Sequence, residues 1–159
     1  MEITEQQKAY MQKAINLSIE SVKNGGGPFG AVIVKDGEII AACSNRVTLD
    51  NDHTAHAEVT AIREACKKLG TFDLKGCELY ASCEPCPMCL ASMYWAHISH
   101  YFYANDKNDA DKIGFGDAFI YSEFALAPEK RSMPRIQMMR KEALKAFADW
   151  ENKKDKTEY

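Results

Sequence analysis

Residues 77–104 run CELYASCEPCPMCLASMYWAHISHYFYA, and the order of elements in this stretch decides the fold. Residues 77–82 form a short apolar run with strand composition. Pro87 suits the first position of a helix, where its missing N–H is not needed, and that helix is expected to reach about residue 97. Residues 98–104 (ISHYFYA) return as a strand. Upstream, HAEVTAIREACKKLG (56–70) predicts a helix whose apolar stripe is Val59, Ile62, Ala65, Cys66 and Leu69, stopped by Gly70. Further upstream, residues 29–35 and 38–44 are β-rich runs joined by Asp36-Gly37, a strong two-residue hairpin signal. A first helix over residues 4–24 follows from two sets at three- and four-residue spacing. One is Tyr10, Ala14 and Leu17; the other is Met11, Ile15, Ile19 and Val22. Gly25–Gly27 and Pro28 end it. The order is helix, two strands, then helix and strand in alternation. It predicts a layered α/β domain with helices on both faces of a mixed sheet. After residue 104 the pattern thins to a loop with one helical turn, a candidate strand at 135–139 and a last helix over 141–152.

The chain has 159 residues, the length of a single domain with one core. Its apolar content of 46% and charged content of 27% exclude a disordered or collagen-like chain. Twenty Lys and Arg against 23 Asp and Glu leave a net charge of −3, which argues against a nucleic-acid coat or a binder of anionic membranes. A small or neutral substrate fits better. No apolar run approaches the ~18 residues of a membrane helix. The start, MEITEQQKAYMQK, lacks the basic and apolar blocks of a secretory signal, so a soluble cytoplasmic protein with reduced thiols is expected. Six cysteines then need a role other than disulfides, and Cys83, Cys86 and Cys89 fall within seven residues. Such clustering points to metal.

His56-Ala57-Glu58 opens one helix and Pro85-Cys86-Pro87-Met88-Cys89 opens another. One imidazole and two thiolates suit tetrahedral Zn²⁺ and leave a fourth position for water, so one zinc per chain held by His56, Cys86 and Cys89 is expected. Cys86 and Cys89, three apart, share a helix face. His56 and Glu58 lie about 200° apart around a continuing helix, so they converge only at its N-terminal tip. Two helix tips aimed at one point would stabilise the thiolates through free N–H groups and the dipole. Glu58, not needed as a ligand, is then the general acid and base. The alternative is a closed structural clip of His56, Cys83, Cys86 and Cys89. Cys83 would otherwise line the pocket or be a buried thiol at a strand end. Gly25, Gly27 and Gly30 formally satisfy GxGxxG, but a helix precedes them and a strand follows, the reverse of a nucleotide loop.

HxE followed by PCxxC is the pattern of zinc deaminases that act on bases. The chain resembles the cytidine deaminase-like zinc deaminase superfamily and, within it, the bacterial guanine deaminase branch. The resemblance rests on GGPFGAVIVKDG (26–37), NDHTAHAEVTAIR (51–63), SCEPCPMC (82–89), FIY after Asp117 and the terminal Tyr159. It implies a three-layer fold with a mixed five-stranded sheet between helices, and hydrolytic deamination of guanine. It also implies a homodimer that exchanges its C-terminal segment, about 130–159, so that Tyr159 helps close the partner's pocket. Asp117 would be a second acid. Phe29, Asn45, Ala57 and Trp95 would contact the purine. Each has a plainer explanation: Phe29 and Trp95 as core, Asn45 as a strand end, Asp117 as a helix cap. Deaminases of guanosine, of another base or of adenosine in transfer RNA remain alternatives, as does a non-catalytic zinc-stapled module. For RNA, nine basic residues against six acidic over residues 128–159 are a thin patch.

Overall fold

A computed structural model describes residues 2–158. The chain divides into two compact units, Met1–Ala118 and Phe119–Tyr159. The first unit begins with α1 (Glu5–Lys23), opened by a capping box in which Thr4 and Gln7 satisfy each other's backbone N–H groups. A hairpin of β1 (Gly30–Lys35) and β2 (Glu38–Ser44) follows. Asp36 and Gly37 both take positive φ, 51° and 82°, the turn that the Asp-Gly pair predicts. A short α2 (Val47–Asp50) leads to α3 (Ala57–Leu69), which ends on Gly70 in the left-handed region. Then come β3 (Cys77–Cys83), α4 (Pro87–Trp95), β4 (His100–Asn105) and α5 (Lys107–Lys112).

The sheet order is β2-β1-β3-β4, antiparallel except for the parallel pair β3–β4 that α4 bridges. Alternation along β1 sorts its side chains into two cores. Val32 and Val34 pack with Tyr10 and Ala14 of α1 and with Tyr80 on one face. Ala31 and Ile33 pack with Ala57, Ala61 and Ala65 of α3, and with Met93 and Ala96, on the other. The three-layer expectation therefore holds. The centre of the α3 stripe differs from expectation. Ala57, Ala61 and Ala65 are fully buried, while Ile62, Cys66 and Leu69 flank them half-buried. Small residues four apart let the helix backbone lie close on the sheet.

In the second unit, α6 (Ala118–Ala125) starts at the boundary, a 3₁₀ turn (Pro128–Lys130) follows, and α7 is Arg140–Asn152. Arg131 ties the turn back to α6: its Nε donates to the Glu123 carbonyl at 3.1 Å, and its guanidinium lies 5.9 Å from the centre of the Phe124 ring. The expected strand at 135–139 does not form, so the sheet has four strands and not five. Pro134 cannot donate, Met139 turns into the left-handed region at φ 52°, and no strand of the described residues pairs with the segment.

Gly30 marks where α1 meets the sheet. A Cβ there would overlap the Ala14 carbonyl and stand 2.8 Å from both Leu17 Cβ and Ser18 N. Gly30→Ala is therefore expected to destabilise by about 2 kcal/mol or more through overpacking, lowering the thermal midpoint by several degrees. An unchanged melting curve would show that α1 has room to move.

Candidate metal centre and active site

His56 is the N-cap of α3 (φ −65°, ψ 155°) and Cys86 the N-cap of α4 (φ −65°, ψ 167°). An N-cap side chain ordinarily turns back to its own helix. Neither of these does, and both turn towards each other. Cys86 Sγ and Cys89 Sγ lie 3.5 and 3.4 Å from His56 Nδ1, and 3.6 Å from each other. A regular tetrahedron with the usual Zn–S and Zn–N lengths places sulfurs about 3.8 Å apart and sulfur about 3.6 Å from nitrogen. The donor set therefore fits zinc in both spacing and chemistry. Among the described residues, this trio is the grouping of His, Cys and acidic side chains close enough to hold an ion.

Cys83 stands outside it. Buried at the end of β3, its thiol donates to the Asp106 carbonyl at 3.7 Å, and burial pushes its pKa up to about 11. The closed four-ligand clip is thus not built. Three ligands leave the fourth position open.

Glu58, 8% exposed, sits at the second position of α3. Its Oε2 lies 3.4 Å from Cys89 Sγ, against the donor set yet two positions beyond the ligand-bearing tip, His56. Burial, more than any neighbour, raises its pKa. Cys86 is drawn down to about 4, first by the hydrogen bond from Cys89 and then by His56, against its burial. Cys89 is pushed up by the adjoining Cys86 sulfur, by burial and by Glu58. His56 is raised, chiefly by Cys86. Without a cation the pair holds one negative charge and resists the second. A dication relieves that crowding, which is why these donors suit a metal better than they suit one another.

Asp117 closes the first unit's last loop. Its Oδ1 is buried with no hydrogen-bond partner, a condition shared among the described residues only by Thr60 Oγ1. Burial, then the Cys86 and Glu84 charges, raises its pKa, and its own charge in turn raises His56 and Cys83. Asp117 directly precedes α6, and its buried Oδ1 is the oxygen left without a partner.

The remaining candidates separate. Asn45, 5% exposed, follows β2, and the next residue, Arg46, donates its N–H to the Ala55 carbonyl at 2.9 Å, one residue from His56. Ala57 is fully buried at the first turn of α3. Phe29, half-buried, meets Phe115 edge-on at 5.0 Å between ring centres. Sequence reasoning missed Phe115, although Gly114 and Gly116 flanking it beside Asp117 were the available signal. Also missed was Ser82, buried, whose Oγ accepts the Gly30 N–H at 3.0 Å and pins the start of β1 to β3. Trp95 is the last residue of α4, 69% exposed, about 13 Å along the helix from Cys86. It does not join the cluster within one chain. Tyr159 lies outside the described residues.

Residues 4–105 match the family described as the cytidine and deoxycytidylate deaminase zinc-binding region. The chain belongs to that zinc deaminase family. It is 52% identical over 153 residues to the guanine deaminase of Bacillus subtilis (strain 168), covering 96% of this chain and 98% of that one. It is 43% identical over 99 residues to a tRNA-specific adenosine deaminase of Aquifex aeolicus, with 62% of this chain and 66% of that one covered. Its fold matches the X-ray structure of the Bacillus subtilis guanine deaminase with a TM-score of 0.93, at 51% identity and 99% coverage of both chains.

The geometry sets Glu58 apart from the three donors that could hold an ion. Cys86→Ala and Cys89→Ala are each expected to lose zinc and to unfold at lower temperature. Glu58→Gln should keep one zinc per chain by elemental analysis while losing deamination by about 10²-fold or more. Zinc loss in Glu58→Gln would make it a ligand instead.

Proposed function

We propose that this protein deaminates guanine by hydrolysis, giving xanthine and ammonia. One observation carries the reading. The family region ends at residue 105, but the similarity to the Bacillus subtilis guanine deaminase runs through 96% of the chain. The tRNA adenosine deaminase of Aquifex aeolicus covers 62%. A tRNA-specific adenosine deaminase of Streptococcus pyogenes is matched over 86% of the chain but at 33% identity, against 52% for the guanine enzyme, so near-complete coverage together with the higher identity is what favours guanine.

Bound at His56, Cys86 and Cys89, zinc supplies a water acidified enough to be a nucleophile near neutral pH. Glu58 takes a proton from that water at its carboxylate and delivers it to the ring nitrogen beside C2. A C–O bond forms at C2 and the bond to the exocyclic nitrogen breaks. The proton remaining on the added oxygen passes by way of Asp117, whose Oδ1 is unpartnered, to the departing nitrogen, which leaves as ammonia. Phe29, buttressed by Phe115, covers the flat face of the base. Asn45 reads an edge, and Ala57 offers a backbone N–H at a helix N-terminus. Trp95, so exposed, contributes only where a second copy meets it.

The protein is further read as a homodimer exchanging its C-terminal segment. Within the second unit Ile136, Met133 and Phe147 are 88%, 80% and 75% exposed, apolar surface that an interface would cover. A second copy is the cover that is always present. Tyr159 would then close the partner's pocket, and water would be excluded as by a lid.

Ammonia release across guanine, guanosine, cytosine, adenine and transfer RNA should be fastest with guanine. Faster release from guanosine would overturn the free-base assignment while leaving the zinc chemistry intact. Asp117→Ala should lose about 10²- to 10⁴-fold in rate. A variant that turns over normally would make Asp117 structural.

Removing Glu158 and Tyr159 should leave zinc content and melting unchanged but sharply lower guanine turnover. Sedimentation of the unmodified protein as a monomer, or full activity of the truncated one, would refute the exchange.

A further inference from the structure

Three consecutive glycines precede Pro28, and each is a glycine for a different reason. Gly25 has φ +81° with open space around its missing Cβ, so its backbone is what requires glycine. Gly26 and Gly27 lie outside the left-handed region, and for them the neighbours decide. A Cβ on Gly26 would overlap Ser21 Oγ and come 2.7 Å from the Asn45 carbonyl. A Cβ on Gly27 would stand 3.1 Å from both Cγ and Oδ1 of Asn45 and 3.5 Å from Nδ2. These nearly equal distances mean that it would press on the carboxamide as a whole and not on one end.

Asn45 has little room to retreat. It is 5% exposed, its N–H donates to the Phe29 carbonyl at 2.9 Å, and its own carbonyl accepts from Ser21 Oγ at 3.4 Å. Its Oδ1 accepts the Val47 N–H at 3.1 Å, which fixes the sense of the amide, because an N–H cannot donate to an NH₂ group. The donor end, Nδ2, is thereby left for an acceptor atom. Gly27 is tied to the opposite wall as well, since its carbonyl accepts the Phe29 N–H at 2.8 Å.

We propose that Gly27 is a positioning residue for the substrate: the space its absent side chain leaves is what holds the Asn45 carboxamide, Nδ2 outward, in register with the purine edge. The inference rests on the reading above that Asn45 contacts the purine. A methyl group at position 27 would displace the amide by a few tenths of an ångström, or drag Phe29 with it. Either movement disturbs binding geometry without touching the metal.

The test compares Gly27→Ala, Gly25→Ala, Asn45→Ala and the Gly27→Ala/Asn45→Ala double variant, using guanine kinetics, zinc content and thermal melting. Gly27→Ala is expected to raise KM for guanine about threefold or more, with one zinc retained and melting close to that of the unmodified protein. Gly25→Ala should do the reverse, melting earlier with KM unchanged. On the Asn45→Ala background the Gly27→Ala effect should largely vanish, because the group it presses on is gone. If Gly27→Ala alone does not fold, recovery of the fold in the double variant supports the same contact, and failure of both overturns it. An impaired Asn45→Ala combined with a full, multiplicative Gly27→Ala effect would overturn the positioning role alone. Normal kinetics in Asn45→Ala would instead remove the substrate role of Asn45, and this inference with it.

Discussion

Two sulfurs and an imidazole nitrogen held within 3.6 Å of one another, with a buried carboxylate 3.4 Å from one sulfur, are the constraint that the rest of the structure serves. With both thiols ionised these groups would repel; without a cation one sulfur is instead hydrogen-bonded to the other. Two features hold them together. His56 and Cys86 are the N-caps of their helices, so each meets the positive end of a helix dipole. The cation they are shaped for supplies the remaining charge. Glu58, two positions beyond His56 on α3, holds its buried carboxylate beside Cys89. It feels the low-dielectric site without being consumed by the metal.

Bringing two helix tips to one point requires both helices to lie on the same face of the sheet at fixed depth. Ala57, Ala61 and Ala65 set the depth for α3, and Ala31 and Ala81 answer them from β1 and β3. On the opposite face Gly30 lets α1 approach closely enough to bury Tyr10, whose hydroxyl reaches the Gly37 carbonyl at 2.6 Å in the hairpin turn. The hairpin therefore cannot slide along α1, and the end of β2 that carries Asn45 is held where Arg46 meets Ala55. Small residues at the layer contacts thus govern the precision of a site to which they contribute no chemistry.

The fold of the first 105 residues was legible because its punctuation is local. Asp36-Gly37, Gly70 and Pro87 each impose a backbone shape at their own position, and the structure realises each one. The metal trio was legible for a similar reason: HAE and PCxxC sit at helix starts, where spacing in sequence becomes spacing in space. Contacts made across the sheet were not. Phe115 against Phe29, Ser82 on the Gly30 amide, and Gly27 against Asn45 join residues 86, 52 and 18 positions apart, and no periodicity announces them. Ala57 and Ala61 fall outside the expected α3 stripe, which holds Ala65 alone of the three, because hydrophobic pattern weights large side chains, whereas close packing of a helix on a sheet selects small ones.

The misplaced fifth strand has a different origin. Residues 135–139 have the composition of a strand, but a strand exists only with a partner, and the second unit offers none among its described residues. Their side chains are instead among the most exposed apolar ones in the chain, Ile136 at 88% and Met138 at 74%. Composition records what a segment needs to be covered by; it does not say whether the cover belongs to the same molecule.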